Sequence, residues 1–394
     1  MTEQTTKNRF TFRTLVLLLL PIVALAGVIF LFLSTGGGLD FQSAAPIEDL
    51  TIERYELSPD HIDIYVRNSG PETLTIAQAI INEAVWPIDI TPGATIPRLG
   101  RATIHIEYPW SYAEAYGVTL FTTNAVAFDV EIPVAFNTPE PNTKTFWSFA
   151  LIGLYVGVIP VFLGIFWFPA LRQLGRRWMV FLMAVTAGLL IFLGLDTLVE
   201  ALEAAAEAPS PFQGIGLIGI GAVATFLLLD ALSRKQINTG SDESARRLSL
   251  AYMIALGIGI HNLGEGLAIG AAYNVGEIAL GAFLVVGFII QNITEGLGII
   301  APVLRDRPRL SSLLWLGLIG GAPAIIGAWI GGFAPSPTLA VLFLAIGTGA
   351  IFEVVYEIAK LIQKDVQKQP MPMTIFSGVL AGMLLLWVTG LLIK

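Results

Sequence analysis

Two periods divide this chain. Between about Asp40 and Asn142 apolar and polar residues alternate: in HIDIYVRNSG, Ile62, Ile64 and Val66 point one way while His61, Asp63, Tyr65 and Arg67 point the other. TIHIEY repeats the pattern with Ile104, Ile106 and Tyr108 inward. A period of two is that of a half-buried strand, and the turn sequences SGPE, TPG and LG separate the runs. The segment predicts a small antiparallel β-sandwich, immunoglobulin-like in kind. On either side the alternation gives way to unbroken apolar runs. Leu15 to Leu33 follows Lys7, Arg9 and Arg13 and lacks a clear A-x-A site, so it reads as an uncleaved signal anchor. From Phe146 onward eight further runs lie at about 146–168, 179–203, 212–232, 248–273, 278–303, 311–333, 338–361 and 372–393. Each is near the roughly 20 residues a helix needs to cross a bilayer.

The expected fold class is therefore a polytopic α-helical membrane protein. Its expected domains are a cytoplasmic N-terminus and signal anchor over 1–39, an extracytoplasmic β-sandwich over 40–142 and an eight-helix domain over 143–394. Composition agrees: 55% of the 394 residues are hydrophobic and 13% charged, with a mean hydropathy of +0.73, which suits a chain whose main partner is the lipid bilayer. Cysteine is absent, which excludes disulfides, thiolate metal sites and cysteine nucleophiles. The net charge of −8 argues against nucleic acid.

The distribution of basic residues adds an orientation. Arg172, Arg176 and Arg177 fall in one loop, and Arg234, Lys235, Arg246 and Arg247 in the next of the same parity. Arg305, Arg307 and Arg309 follow, then Lys360, Lys364 and Lys368, whereas EAAAEAPSPFQG, YNVGE and GGFAPSPT carry none. Basic loops stay inside, so the sandwich and the C-terminal Lys394 are expected outside a multi-pass protein of the cell membrane, and the N-terminus inside.

Chemistry concentrates in two near-copies of one pattern, HNLGEGLAIG from His261 and QNITEGLGII from Gln291. Both begin near the centres of apolar spans that a short loop around Val275 joins as antiparallel neighbours. At 1.5 Å per residue both motifs lie roughly 21 to 24 Å from that loop, so they meet near the bilayer midplane. Four residues separate His261 from Glu265, and Gln291 from Glu295, which places each pair on one helix face; Asn262 and Asn292 widen that face. Bare carboxylates at this depth cost several kcal/mol and need protons, a cation or water. Imidazole, carboxylate and amide oxygen together suit a divalent metal of the zinc, iron or manganese type. Gluing of helices by polar groups, with Gly264, Gly266, Gly296 and Gly298 permitting close approach, would need amides but not two acids.

The paired HNxxEG and QNxxEG patterns resemble the fourth and fifth transmembrane helices of the ZIP (Zrt-, Irt-like protein) metal transporters, closest to their bacterial GufA-like branch. The resemblance covers about Phe146 to Lys394. It implies eight helices, an outward C-terminus and uptake of divalent metal toward the cytoplasm as substrate, with no organic cofactor. It also implies His261, Glu265, Gln291 and Glu295 as primary ligands, and Asn262 and Asn292 beside a second ion that the glutamates bridge. The sequence departs from the family where proline usually precedes each glutamate, here Gly264 and Thr294. It departs again in the sixth helix, where Ala322 rather than glutamate precedes Pro323. The amino-terminal span and the sandwich are additions to the family pattern.

Further acids flank this centre. Glu353 and Glu357 lie four apart in GTGAIFEVVYEIAK: Glu357 is a candidate exit ligand and Glu353, deeper, a candidate replacement for the acid missing before Pro323, with snorkelling or pairing to Lys360 as the plainer role. Asp196, Glu200 and Glu203 fall at i, i+4 and i+7 in the second span, a candidate acidic entrance, although a solvated helix end explains Glu203 and Glu207 as well. On the sandwich, His61 with Asp63 and His105 with Glu107 fall at i, i+2 on solvent faces, where they serve a solvated surface or capture metal ahead of the pore. The reading is a secondary transporter working by alternating access, with a metal sensor signalling through the sandwich as the alternative. A zinc hydrolase of the H-E-x-x-H type needs two histidines one turn apart, and the membrane region holds one, so no enzyme is expected. The preferred metal, the sandwich's partner and a homodimer are left open.

Overall fold

A computed structural model of the chain describes residues 12–35, 47–173, 175–237, 243–274, 278–367 and 370–391. The loop around Val275 and Lys7, Arg9, Lys368 and Lys394 lie outside the described residues. The chain divides into two compact units, Met1–Ile47 and Glu48–Lys394. In the first, α1 (Phe12–Thr35) is an apolar helix with Pro21 inside it, and Leu20, Val23 and Phe30 are exposed along it, as suits a helix surrounded by lipid.

The alternation read from the sequence becomes two antiparallel sheets. One has the order β1 (Leu50–Ser58), β2 (His61–Asn68), β7 (Arg101–Glu107), β5 (Asp89–Thr91). The other runs β4 (Ala84–Trp86), β3 (Leu74–Ile81), β8 (Tyr116–Thr122), β9 (Ala127–Ile132), with β6 (Thr95–Ile96) beside β3. Ile62, Ile64, Ile104 and Ile106 from the first sheet and Leu74, Ile81, Val118 and Leu120 from the second are fully buried in one core. Tyr108 packs at its edge. Period-two patterning thus closes a small β-domain. It meets the helices where Ser210 Oγ donates to Asp49 Oδ2 at 2.7 Å and where the Arg67 guanidinium lies 5.4 Å from the centre of the Phe212 ring.

Seven spans among the described residues are long and apolar enough to cross a membrane, and Leu19–Phe32 and Pro372–Val388 are shorter apolar helices. The protein is accordingly a polytopic helical membrane protein carrying a small antiparallel β-domain. The helices are α2 (Thr143–Gly153), α3 (Ile159–Ile165), α4 (Phe168–Leu171), α5 (Arg176–Glu207), α6 (Gly214–Ile237), α7 (Glu243–Asn274), α8 (Ile278–Ile300), α9 (Leu310–Gly321), α10 (Pro323–Phe333), α11 (Pro337–Val366) and α12 (Pro372–Gly390). Asn142 caps α2 through its side-chain oxygen, which accepts from the Thr145 amide at 3.0 Å.

Two spans that read as single helices are interrupted. The first passes through a π-helical turn, Leu154–Val158, between α2 and α3, and the sixth breaks at Ala322 between α9 and α10, where Pro323 has no N–H to continue the ladder. Helices α7 and α8, by contrast, run unbroken through Gly264 and Thr294.

Glycine decides which helices touch by backbone. A Cβ on Gly266 would overlap the Ala324 carbonyl, one on Gly327 the Leu263 carbonyl and one on Gly331 the Leu267 carbonyl, so α7 and α10 pack main chain to main chain. Gly164 and Gly296 join α3 to α8 in the same way, Gly188 and Gly382 join α5 to α12, and Gly349 joins α11 to α6. These contacts sort the helices into two groups, α2/α3 with α7, α8, α9 and α10, and α5 with α6, α11 and α12. Between the groups the fit is looser: a Cβ on Gly257 of α7 would lie 3.5 Å from Val354 Cγ2 and 3.6 Å from the Ala350 carbonyl of α11, ordinary van der Waals distances rather than overlaps.

Candidate metal centre

Helices α7 and α8 bring the two motifs together. His261, Asn262, Glu265, Gln291, Asn292 and Glu295 are all buried, none more than 7% exposed. One ligand atom from each of His261, Glu265 and Glu295 lies within 4.8 Å of the others. The Gln291 amide nitrogen sits where they converge, 3.0 Å from Glu265 Oε1 and 3.4 Å from both Glu295 Oε1 and His261 Nε2. A group bearing partial positive charge therefore already stands among two carboxylates and an imidazole.

The orientation of His261 follows from its neighbour. Thr197 Oγ1 donates to the Leu193 carbonyl at 2.8 Å and lies 2.9 Å from His261 Nδ1. The single hydroxyl proton is spent on the carbonyl, so the hydroxyl oxygen accepts from Nδ1–H. In the neutral ring this leaves the Nε2 lone pair facing Glu265 Oε1 at 3.3 Å. Two acceptors at that distance need a donor or a cation between them, a place the Gln291 amide takes here, and fixing the tautomer through Nδ1 is how proteins present imidazole to metals. Thr197, fully buried on α5, was not singled out from the sequence. Nothing local marks it, since its role depends on a partner 64 residues away.

The asparagines serve the helix irregularities. Asn292 Nδ2 donates to Val156 O in the π turn at 3.0 Å and to Glu265 Oε2 at 2.7 Å. Asn262 Nδ2 donates to Gly320 O, beside the break at Ala322, at 2.9 Å. Asn292 thus spends both its N–H groups and Asn262 one, while Asn262 Oδ1, Asn292 Oδ1 and Glu295 Oε2 are buried without a hydrogen-bond partner. Three orphaned acceptors beside three convergent ligands are the arrangement that a cation satisfies. At Thr294, where the resembled family has proline, the hydroxyl donates to the Gln291 carbonyl at 2.6 Å.

The flanking acids separate. Asp196 and Glu200 are half-buried on α5, Glu203 is exposed, and Glu200 lies in the electrostatic field of His261 and Glu265. On α11, Glu357 pairs with Lys360 at 2.6 Å, the plainer of its two expected roles. Glu353 is fully buried and accepts from Ser233 Oγ of α6 at 3.1 Å, leaving its other oxygen without a hydrogen bond. Asp230, one turn before Ser233, is also buried and bonded to Arg234 at 2.8 Å, with Lys360 3.8 Å from its other oxygen. Ser233, Met253, Glu357 and Lys360 line a cleft of about 570 Å³ beside this group. Asp230 and Ser233 carried a signal that was available, an acid inside the apolar run TFLLLDALS, but only the approach of α6 to α11 gives it a partner.

No protein-family model matches the chain, and no curated protein matches it.

Proposed function

We propose that the protein transports divalent transition-metal cations, zinc foremost, with iron, manganese or cadmium as alternatives, into the cytoplasm by alternating access. The observation that carries this reading is the convergence of His261 Nε2, Glu265 and Glu295 on one buried point, held here by the Gln291 amide. A half-turn of that amide exchanges its donor for an oxygen and completes a four-ligand set of nitrogen and oxygen donors, which suits zinc. The orphaned oxygens of Asn262 and Asn292 offer ligands to a second ion beside the first, with one acid fewer than the ZIP pattern because Ala322 stands in that position.

The two helix groups support the alternating-access part. His261, Glu265, Gln291 and Glu295 all belong to the first group, whose members interlock by backbone, and the second group meets α7 at ordinary van der Waals distances without such interlocking, a boundary that can slide. In this reading Asp196 and Glu200 draw cations toward the centre and Asp230, Ser233 and Glu353 receive them beyond it. Counting α12, the helices form a ZIP-like core of eight. The basic loops face the cytoplasm, and the immunoglobulin-like β-domain and the C-terminus lie outside.

Metal uptake into proteoliposomes tests the proposal. Wild-type protein is expected to give saturable zinc flux that Glu265→Ala and Glu295→Ala each abolish, with manganese, iron and cadmium ranking below or beside zinc. Stoichiometric binding without flux would overturn transport and favour a receptor that signals through the β-domain.

A further inference from the structure

The sheet register places all the histidine outside the membrane-spanning helices on one surface. In the pairing of β2 with β7, His61 stands opposite Glu107 and Asp63 opposite His105; β1 adds Glu56 opposite Asp63, and β5 adds Asp89 opposite His105. Residues opposite one another share a face. Here that face is the outer one, because Ile62, Ile64, Ile104 and Ile106 between them are buried. Two imidazoles and four carboxylates therefore occupy two adjacent cross-strand rows, of which, among the described residues, Glu56 alone is paired to an arginine, Arg54 Nε at 3.1 Å.

Both rings are held in the same tautomer. His61 Nδ1 lies 2.9 Å from the Pro59 carbonyl, which only accepts, so Nδ1 carries the proton. His105 Nδ1 donates to Asp63 Oδ1 at 2.7 Å, a carboxylate–imidazole pair of the kind that backs metal-bound histidine. Each Nε2 is then a lone pair, and no Nδ1 proton has to leave for an ion to bind. His61 and His105 are diagonal neighbours on adjacent strands, about 7 to 8 Å apart in the backbone, a span that two imidazoles bridge onto one ion. Their ligand atoms are not gathered within 4.8 Å of one another in the structure, but His61 and Glu107 are exposed and His105 half-exposed, so an ion draws them together by side-chain rotation.

We propose that this face binds one divalent first-row metal ion, of the zinc type, through His61 Nε2, His105 Nε2 and the Glu107 carboxylate, with Asp63 as the positioning residue behind His105. Two nitrogens and one carboxylate leave a fourth position to water, the ligand set of an open zinc site rather than a closed structural one. Such a site exchanges its ion, in contrast to the buried centre.

The test is a metal count on purified full-length protein equilibrated with zinc and freed of unbound ion. The Glu265→Ala/Glu295→Ala variant is expected to retain one zinc per chain, and adding His61→Ala/His105→Ala to remove it. In the otherwise wild-type chain His61→Ala/His105→Ala is expected to lower the zinc count by one without changing the melting temperature. Asp63→Asn is expected to weaken this zinc about tenfold. A zinc count unchanged by the histidine substitutions in both backgrounds would overturn the proposal. The readout requires no flux, so it stands or falls separately from transport.

Discussion

At the scale of single residues, the centre depends on one hydroxyl that is not itself a ligand in the proposed set. Thr197 Oγ1 accepts a hydrogen bond from His261 Nδ1–H and donates its own to the Leu193 carbonyl. Thr197→Val keeps the shape but leaves Nδ1–H buried without an acceptor, at a cost of about 1 to 3 kcal/mol, and removes what holds Nε2 toward Glu265. We expect zinc affinity at the buried centre to fall by roughly 10- to 100-fold and Thr197→Ser to restore it, as read by zinc titration of the purified protein. Equal affinities in Thr197→Val and wild type would show that the ring is held by packing alone. The contact has a second consequence: Thr197 belongs to α5 and His261 to α7, so the lock on the imidazole joins the two helix groups.

Among the elements, the closeness of α7 to α10 is set by absent side chains. At Gly327 an added methyl meets the Leu263 carbonyl, which belongs to a helix backbone and cannot yield locally. Gly327→Ala is expected to destabilise by about 1 to 3 kcal/mol. Gly219→Ala on α6, where nothing lies within 4 Å, is expected to be neutral or to gain up to about 1 kcal/mol of helix propensity. Thermal melting in detergent separates the two, and equal melting temperatures would remove backbone interlocking as the basis of the first helix group. The interruptions in this group also have a use. The π turn and the Ala322 break expose carbonyls that Asn292 and Asn262 take up, which fixes both asparagines with their Oδ1 atoms unspent.

For the whole molecule, transport by alternating access requires the two groups to move past each other. The chain contains no cysteine, so a disulfide placed across the boundary acts alone. Gly257→Cys with Val354→Cys spans α7 and α11, where a Cβ on Gly257 would lie 3.5 Å from Val354 Cγ2. Oxidation of this pair is expected to stop zinc uptake in proteoliposomes and reduction to restore it; undiminished flux through the oxidised protein would rule out relative movement at this boundary.

What the sequence determined by itself was whatever a local period encodes. Alternation wrote the two faces of β2 and β7, unbroken apolar runs wrote the helices, and the spacing of His261 to Glu265 and Gln291 to Glu295 placed those residues on matching faces of neighbouring helices. Each of these needs only the geometry of one element or one short loop. Tertiary structure alone decided that Thr197 orients His261, that Asp230 and Ser233 approach Glu353, that α7 lies against α10 rather than against another glycine-rich helix, and that His61 and His105 share one cross-strand surface. Those pairings join residues far apart in the chain, and no period along it records which distant surface will fill the space that a glycine leaves or accept the proton that a histidine offers.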